Sequence, residues 1–202
     1  KDGGETTYCF GVSMEEIALI GYGGHGKSVA DCLESSGSYH IVGYTEKQKV
    51  ESPYPYLGTD KVLPDLFQGG VKRLAMGIGY LGKDTLREQI FETAKEIGFF
   101  FPVITDPSSV ISGSAVIEEG TFIGKMAVIN ADAHIGKLCI INSKALIEHD
   151  CTVGDFTHIA VAAVLCGQVK VGKGSLIGAN ATILQCREVG NCSIVPAGST
   201  FR

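Results

Sequence analysis

Glu148-His149-Asp150 sets a histidine between two carboxylates, and His158 follows nine residues later. A carboxylate beside an imidazole raises its basicity and fixes its tautomer, which suits a general base near neutral pH. In an extended segment Glu148 and Asp150 leave on the face opposite His149, whereas at a corner they can fold back onto it. Far upstream, Gly21-Tyr22-Gly23-Gly24-His25-Gly26 satisfies GxGxxG, and Glu46 stands twenty residues beyond Gly26. Such a loop holds a phosphate or pyrophosphate on backbone N–H groups at a helix N-terminus, with the later acidic residue suited to a ribose hydroxyl. His25, between two glycines, is held next to whatever that loop binds. The competing readings are an exposed loop histidine at 25 and a plain surface histidine at 149.

Metal chemistry is the other use for these side chains. His134, His149 and His158 are spaced 15 and 9 apart, without HxxxxH, and Cys9, Cys32, Cys139, Cys151, Cys166, Cys186 and Cys192 form no CxxC. Neither spacing matches a zinc ligand set, so no metal is expected. The cysteines read as core-filling thiols of a reducing compartment.

The later histidines lie on a six-residue ruler. From Ile111 to Thr200 fifteen hexads follow without a gap, each with an aliphatic first residue (Ile111, Ile117, Ile123 and onward to Val195) and almost always a small fifth one. Period six matches neither an amphipathic helix nor an alternating strand, and it points to a left-handed parallel β-helix of short strands, three hexads to a coil. Glycine or asparagine at the second position is expected to serve the corners with positive φ. With eighteen residues per coil, Gly167 should lie over His149, with Gln185 one coil further on. The absent side chain at Gly167 would leave room for a ligand beside the imidazole.

The glycine loop belongs to a different pattern. Apolar runs at 16–21, 41–44, 73–78 and 99–104 alternate with helical spacing at 27–36, 61–67 and 84–98, with a turn at Leu57-Gly58-Thr59-Asp60. Strand alternating with helix predicts a small Rossmann-like parallel sheet. Its domain spans 14–104, the β-helix spans 108–202, and 1–13 reads as a flexible extension. A unit of about 90 residues is small for a full dinucleotide fold, so the loop promises a phosphate rather than a nicotinamide.

Composition narrows the partners. The chain has 202 residues, 45% of them hydrophobic, and a net charge of −5. No Lys/Arg cluster is present to neutralise a nucleic-acid backbone or an anionic membrane, and no stretch approaches the ~20 apolar residues of a transmembrane helix. A cytoplasmic enzyme is expected, without nucleic-acid or membrane partners.

The segments GYGGHGK at 21–27, NADAHIG at 130–136, INSKALIEHDCTVGDFTHIAV at 141–161 and CGQVKVGKGSLIGANATI at 166–183 together resemble the PglD/NeuD-like sugar acetyltransferases across residues 16–200. That resemblance implies a homotrimer with acetyl-CoA as co-substrate in clefts between β-helices and a UDP-linked amino sugar held by the N-terminal domain. By position it implies His149 as catalytic base and Asp150 as its acidic neighbour, where the family often has Glu. His158, Gly167 and Ala179 would contact acetyl-CoA. Gly23, Gly24, His25, Thr45, Glu46, Gly79 and Asn142 would hold the sugar nucleotide. Three features depart from the family. Thr45-Glu46 replaces an acidic pair, Gly79-Tyr80-Leu81 replaces GxGNN, and the chain stops at Arg202, short of the VGxPAK-type segment that usually covers coenzyme A.

The expected reaction is N-acetylation of a UDP-linked 4-amino-4,6-dideoxy sugar by direct attack on the thioester. The alternatives are O-acetylation of a sialic acid or another surface sugar, and a non-enzymatic module that senses NAD through the glycine loop.

Overall fold

The computed structural model describes residues 14–82 and 85–202; the expectation for residues 1–13 falls outside them. In the N-terminal part, β1 (Glu15–Ile20), α1 (Gly24–Ser36), β2 (Tyr39–Thr45), β3 (Tyr56–Gly58), α2 (Leu63–Gln68), β4 (Arg73–Met76) and α3 (Leu86–Ile97) follow in order. The sheet runs β3-β2-β1-β4, with every pair parallel. The inner strand β1 ends in four buried residues, Ile17 to Ile20, which is the continuous apolar run that a strand covered on both faces requires.

Three elements differ from the sequence expectation. Residues 57–60 do not form only a turn, because Tyr56–Gly58 pairs with the end of β2 as an edge strand, too short to show a period. Residues 99–104 make no strand in this sheet, and Phe100 forms a single bridge to Arg73. The apolar signal there comes from Phe99 and Phe101, fully buried core side chains. Finally, α1 begins at Gly24, three residues before the expected start, because glycine disguises a helix that the loop geometry nevertheless nucleates.

From β5 (Ile104–Thr105) onward the chain makes one two-residue strand per hexad, β6 (Val110–Ile111) to β21 (Thr200–Phe201). Strands pair in parallel with those eighteen residues away, as His134↔Thr152 and Ile140↔His158 illustrate. The result is a β-helix with three flat faces. One face carries β5, β8, β11, β14, β17 and β20; the next carries β6, β9, β12, β15, β18 and β21; the third carries β7, β10, β13, β16 and β19. First-position aliphatics such as Ile141 and Ile159 and fifth-position residues such as Ala145 and Cys151 fill the prism. Buried hydroxyls at the fifth position stay satisfied, with Thr121 Oγ1 donating to the Gly136 carbonyl at 2.7 Å.

The corner geometry corrects the expected role of the second position. Positive φ falls on the fourth residue of the hexad, including Met126, Asp132, Lys144, Asp150 and Gln168. Second-position glycines are needed for close approach instead. A Cβ on Gly154 would lie 2.5 Å from the Lys173 amide nitrogen of the next coil, and one on Gly178 would lie 2.4 Å from that of Ala197. No side chain fits between coils at that distance.

The outward residues give the faces different characters. Phe122, Ile140, His158 and Leu176 face out from the first face, and the N-terminal part packs on it. Phe122 and Ile140 share a cluster with Tyr22, Ala75 and Tyr80, while Leu138 and Phe156 pack with Phe91 and Phe101. Lys125 bridges the two parts, reaching Asp31 at 2.8 Å and Asp106 at 2.9 Å. The second face presents Val110, Val128, Leu146 and Val164, followed by Thr182 and Thr200, and the third presents Val116 and then His134, Thr152, Lys170 and Glu188. Among the described residues no helix is long and apolar enough to cross a membrane.

Candidate functional site

The glycine loop is the start of α1. Gly23 is its N-cap, with no side-chain cap, so the first-turn amides at Gly24, His25 and Gly26 have no carbonyl four residues back. A Cβ on Gly26 would stand 2.5 Å from the Gly21 carbonyl oxygen, so glycine here lets the helix start press onto the end of β1. Gly23, Gly24 and His25 line a cavity of about 860 Å³ between the N-terminal sheet and the first face of the β-helix.

That cavity collects eight of the residues singled out in the sequence. Gly23, Gly24 and His25 come from the loop, Thr45 and Glu46 from the end of β2, and Gly79 from the segment after β4. Asn142 and His158 come from the β-helix. The carboxylate of Glu46 accepts from the Tyr22 amide at 3.3 Å and the Lys47 amide at 2.9 Å, which ties it to the glycine loop. Thr45 is fully buried and donates to Asp60 Oδ1 at 2.6 Å. Asp60 also lines the cavity, although in the sequence it reads only as part of a turn. Its signal is an acidic residue just past a strand end on the carboxyl edge of a parallel sheet.

Nε2 of His25 is enclosed and has no hydrogen-bond partner among the described residues. The ring stands edge-on to Phe122, at 5.0 Å and 87°. Burial first, then the Arg87 charge and His158, push its pKa down to about 3, so the ring is neutral. An orphaned polar atom costs about 1–3 kcal/mol, which a ligand oxygen in the cavity can relieve.

His158 is tied on both sides. Nδ1 lies 2.8 Å from the Tyr80 carbonyl, and Nε2 lies 3.2 Å from Asn142 Nδ2. Burial holds this histidine below its ordinary value, against the Tyr80 carbonyl, which favours the charged form. His158, which the family resemblance gives to acetyl-CoA, stands on the cavity wall opposite the glycine loop. Tyr80 stands out in the sequence only as a departure from a family pattern.

His149, Asp150 and Gly167 do not line this cavity. They occupy the edge between the second and third faces, His149 and Asp150 at the corner after β12 (Leu146–Ile147) and Gly167 one coil on, after β15 (Val164–Leu165), whereas Asn142 and Ser143 occupy the corner after β11 (Ile140–Ile141). His149 is exposed, and its Nδ1 lies 2.7 Å from Asp150 Oδ2. The Asp150 hydrogen bond raises the His149 pKa above its ordinary value, with further help from the Asp150 and Glu148 charges. A Cβ on Gly167 would lie 2.7 Å from His149 Nε2, so the ring occupies the room that this glycine leaves. Ala179 stands one coil beyond Val161, itself at the cavity edge.

With Nδ1–H given to a carboxylate, Nε2 of His149 carries a lone pair and can accept a proton. The cavity can hold a phosphorylated ligand on helix amides and neutral imidazoles. Within one chain these two capacities sit at different corners of the prism.

The PglD N-terminal domain profile matches residues 16–94, and the bacterial transferase hexapeptide (six repeats) profile matches residues 114–149. The chain is 33% identical over 116 residues to the UDP-N-acetylbacillosamine N-acetyltransferase of Bacillus subtilis (strain 168). That match covers 54% of this chain and 51% of that protein, so the chain spans about half the length of this relative. The fold is similar to the acetyltransferase domain of PglB from Neisseria gonorrhoeae FA1090, with TM-score 0.87, 31% identity and coverage of 93% of this chain and 91% of that one. The same domain in complex with acetyl coenzyme A gives 0.84 at 31% identity, covering 93% of each chain. PerB from Caulobacter crescentus in complex with CoA and GDP-perosamine gives 0.70 at 29% identity, covering 94% and 90%. The chain belongs to the PglD-like family of hexapeptide-repeat sugar acetyltransferases.

Proposed function

We propose that this chain transfers acetyl from acetyl-CoA to the 4-amino group of a UDP-linked 4-amino-4,6-dideoxy sugar, and that it does so as a homotrimer. The observation that carries this reading is one cavity joining a phosphate-binding helix start to Asn142 and His158 on the β-helix. Its volume lies within the usual range for small-molecule sites. The relatives' names add the chemistry: one acts on a UDP-linked amino sugar, one is seen with acetyl coenzyme A, and one with CoA and GDP-perosamine.

The separation of the cavity from His149 is the reason for a trimer. The second face lies between the corner of Asn142 and Val161 and the corner of His149, and it presents the column Val110, Val128, Leu146 and Val164. Packing that face around a threefold axis brings the His149 corner of one subunit toward the cavity edge of the next. Gly167 of one subunit and Ala179 of its neighbour then flank the path of the pantetheine arm.

In this assembly the helix amides at Gly23 and Gly24 hold the pyrophosphate, His25 and Glu46 hold the nucleotide sugar's hydroxyls, and the amine points at the neighbour's His149. As the nitrogen attacks the thioester carbonyl, His149 Nε2 takes the proton, and the C–S bond breaks with delivery of that proton to the coenzyme A thiolate. No acyl-enzyme is formed. The test is release of free thiol from acetyl-CoA with UDP-linked and GDP-linked 4-amino sugars and with sialic acid. Thiol release with the UDP-linked amine supports the reading, release with sialic acid alone replaces it by O-acetylation, and thermal stabilisation by NAD alone overturns it.

A further inference from the structure

The segment after β4 leaves the N-terminal sheet and lies on the β-helix, and Tyr80 is its buried side chain between the exposed Gly79 and Leu81. Its hydroxyl donates to the Gly174 carbonyl at 2.7 Å, while its own carbonyl lies 2.8 Å from His158 Nδ1. One residue from the N-terminal part thus holds the β-helix at two coils.

The hydrogens along this path have only one consistent arrangement. A carbonyl can only accept, so the proton of His158 is on Nδ1. His158 Nε2 then carries the lone pair, and it faces Asn142 Nδ2 at 3.2 Å. Asn142 Oδ1 is committed to the Ser143 amide at 2.8 Å, which fixes the amide the same way round. A hydrogen on Nε2 would point at a donor, and turning the Asn142 amide to accept it would set Nδ2 against the Ser143 N–H. The imidazole is therefore a fixed acceptor, and the Asn142 amide has one Nδ2 hydrogen left to offer to the cavity.

We propose that Tyr80 is a positioning residue: pinned to Gly174 through its hydroxyl, it locks the His158 tautomer through its carbonyl and so makes Asn142 a one-way donor to an oxygen of the bound ligand. The same geometry removes His158 from any role as donor to an oxyanion, because Nε2 has no hydrogen. The path also starts beside the phosphate loop, since a Cβ on Gly79 would touch the His25 Cβ at 3.4 Å. This rests on the acetyl-transfer reading only for the identity of the ligand oxygen, a sugar hydroxyl or the thioester carbonyl.

The test is ¹⁵N NMR of the histidine rings in the full chain near pH 7, with the His158 signals assigned by their loss in His158→Gln. The expected wild-type pattern is a protonated Nδ1 and a lone-pair Nε2; the reverse pattern overturns the proposal without any variant. In Tyr80→Phe the ring stays packed and the hydroxyl anchor goes. His158 should then show mixed tautomers, and kcat/KM should fall about tenfold through loss of alignment. An unchanged tautomer in a folded Tyr80→Phe also overturns it. The NMR result needs no substrate, so it separates failure of this proposal from failure of the acetyl-transfer reading.

Discussion

Asp150 holds Nδ1 of His149 at 2.7 Å because it stands at a corner with φ 58°, a left-handed conformation that turns its carboxylate back onto the preceding residue. Aspartate and asparagine tolerate that conformation better than most side chains, so the corner and the chemistry favour the same residue. The carboxylate raises the pKa of His149, by hydrogen bond first and by charge second.

That relationship fixes the sign of a pH effect. A base must be neutral to accept a proton, so with His149 as the proposed base kcat/KM should rise with pH through the His149 pKa. Asp150→Asn removes the raising effect, and the rising limb should move to lower pH while the plateau drops. His149→Ala should lower kcat/KM by about 10²–10⁴ with the melting temperature nearly unchanged, since the side chain is exposed. A limb that stays in place in Asp150→Asn would show that another group titrates.

Gly167 gives a test that leaves the proposed base itself intact. A Cβ there would sit 2.7 Å from His149 Nε2, and the atom in the way is the end of an exposed side chain. Gly167→Ala should therefore displace the ring at little cost to stability and reduce kcat/KM at least about tenfold, through misplacement of the base. A crystal structure of the variant with the ring unmoved would contradict this.

The register between His149 and Gly167 is legible in the sequence, because eighteen residues per coil follow from the hexad pattern alone. The glycine loop and the two-part organisation are legible for the same reason: each rests on a local period or a fixed spacing. The sequence pattern assigns the corner conformation to the wrong hexad position, because glycine answers equally to positive φ and to close approach, and only the coil above Gly154 and Gly178 distinguishes them. Asp60 and Tyr80 escape such a pattern because their partners, Thr45, Gly174 and His158, lie 15, 94 and 78 residues away. No repeat or fixed spacing in the sequence encodes these pairings.

His25 should show opposite effects on binding and on stability. In His25→Phe the ring keeps its edge contact with Phe122, and the enclosed, unpartnered nitrogen disappears. Affinity for the UDP-sugar should fall about 3- to 10-fold, as for loss of one hydrogen bond between neutral groups, while the free protein gains about 1 kcal/mol. The depressed pKa adds a pH test. The unfolded chain binds a proton at 6.5 and the folded one at about 3, so His25 costs stability progressively as pH falls from 6.5 toward 3. Urea melts across that window should show a shallower acid dependence in His25→Phe than in the wild type.

The face between the two functional corners decides whether the site is shared. Leu146 and Val164 are half-buried apolar residues side by side on that face, in paired strands. Leu146→Glu puts a charge into the proposed interface and should convert the proposed trimer to monomers by light scattering, with activity lost, whereas Thr152→Glu on the polar third face should change neither. A sharper test mixes two inactive proteins, His149→Ala and Asn142→Ala, after dissociation and reassembly. If each site takes its cavity from one subunit and its histidine from the next, about a quarter of the interfaces in a random equal mixture pair an intact cavity with an intact His149, so about a quarter of wild-type activity should return. If each chain builds its site alone, none returns.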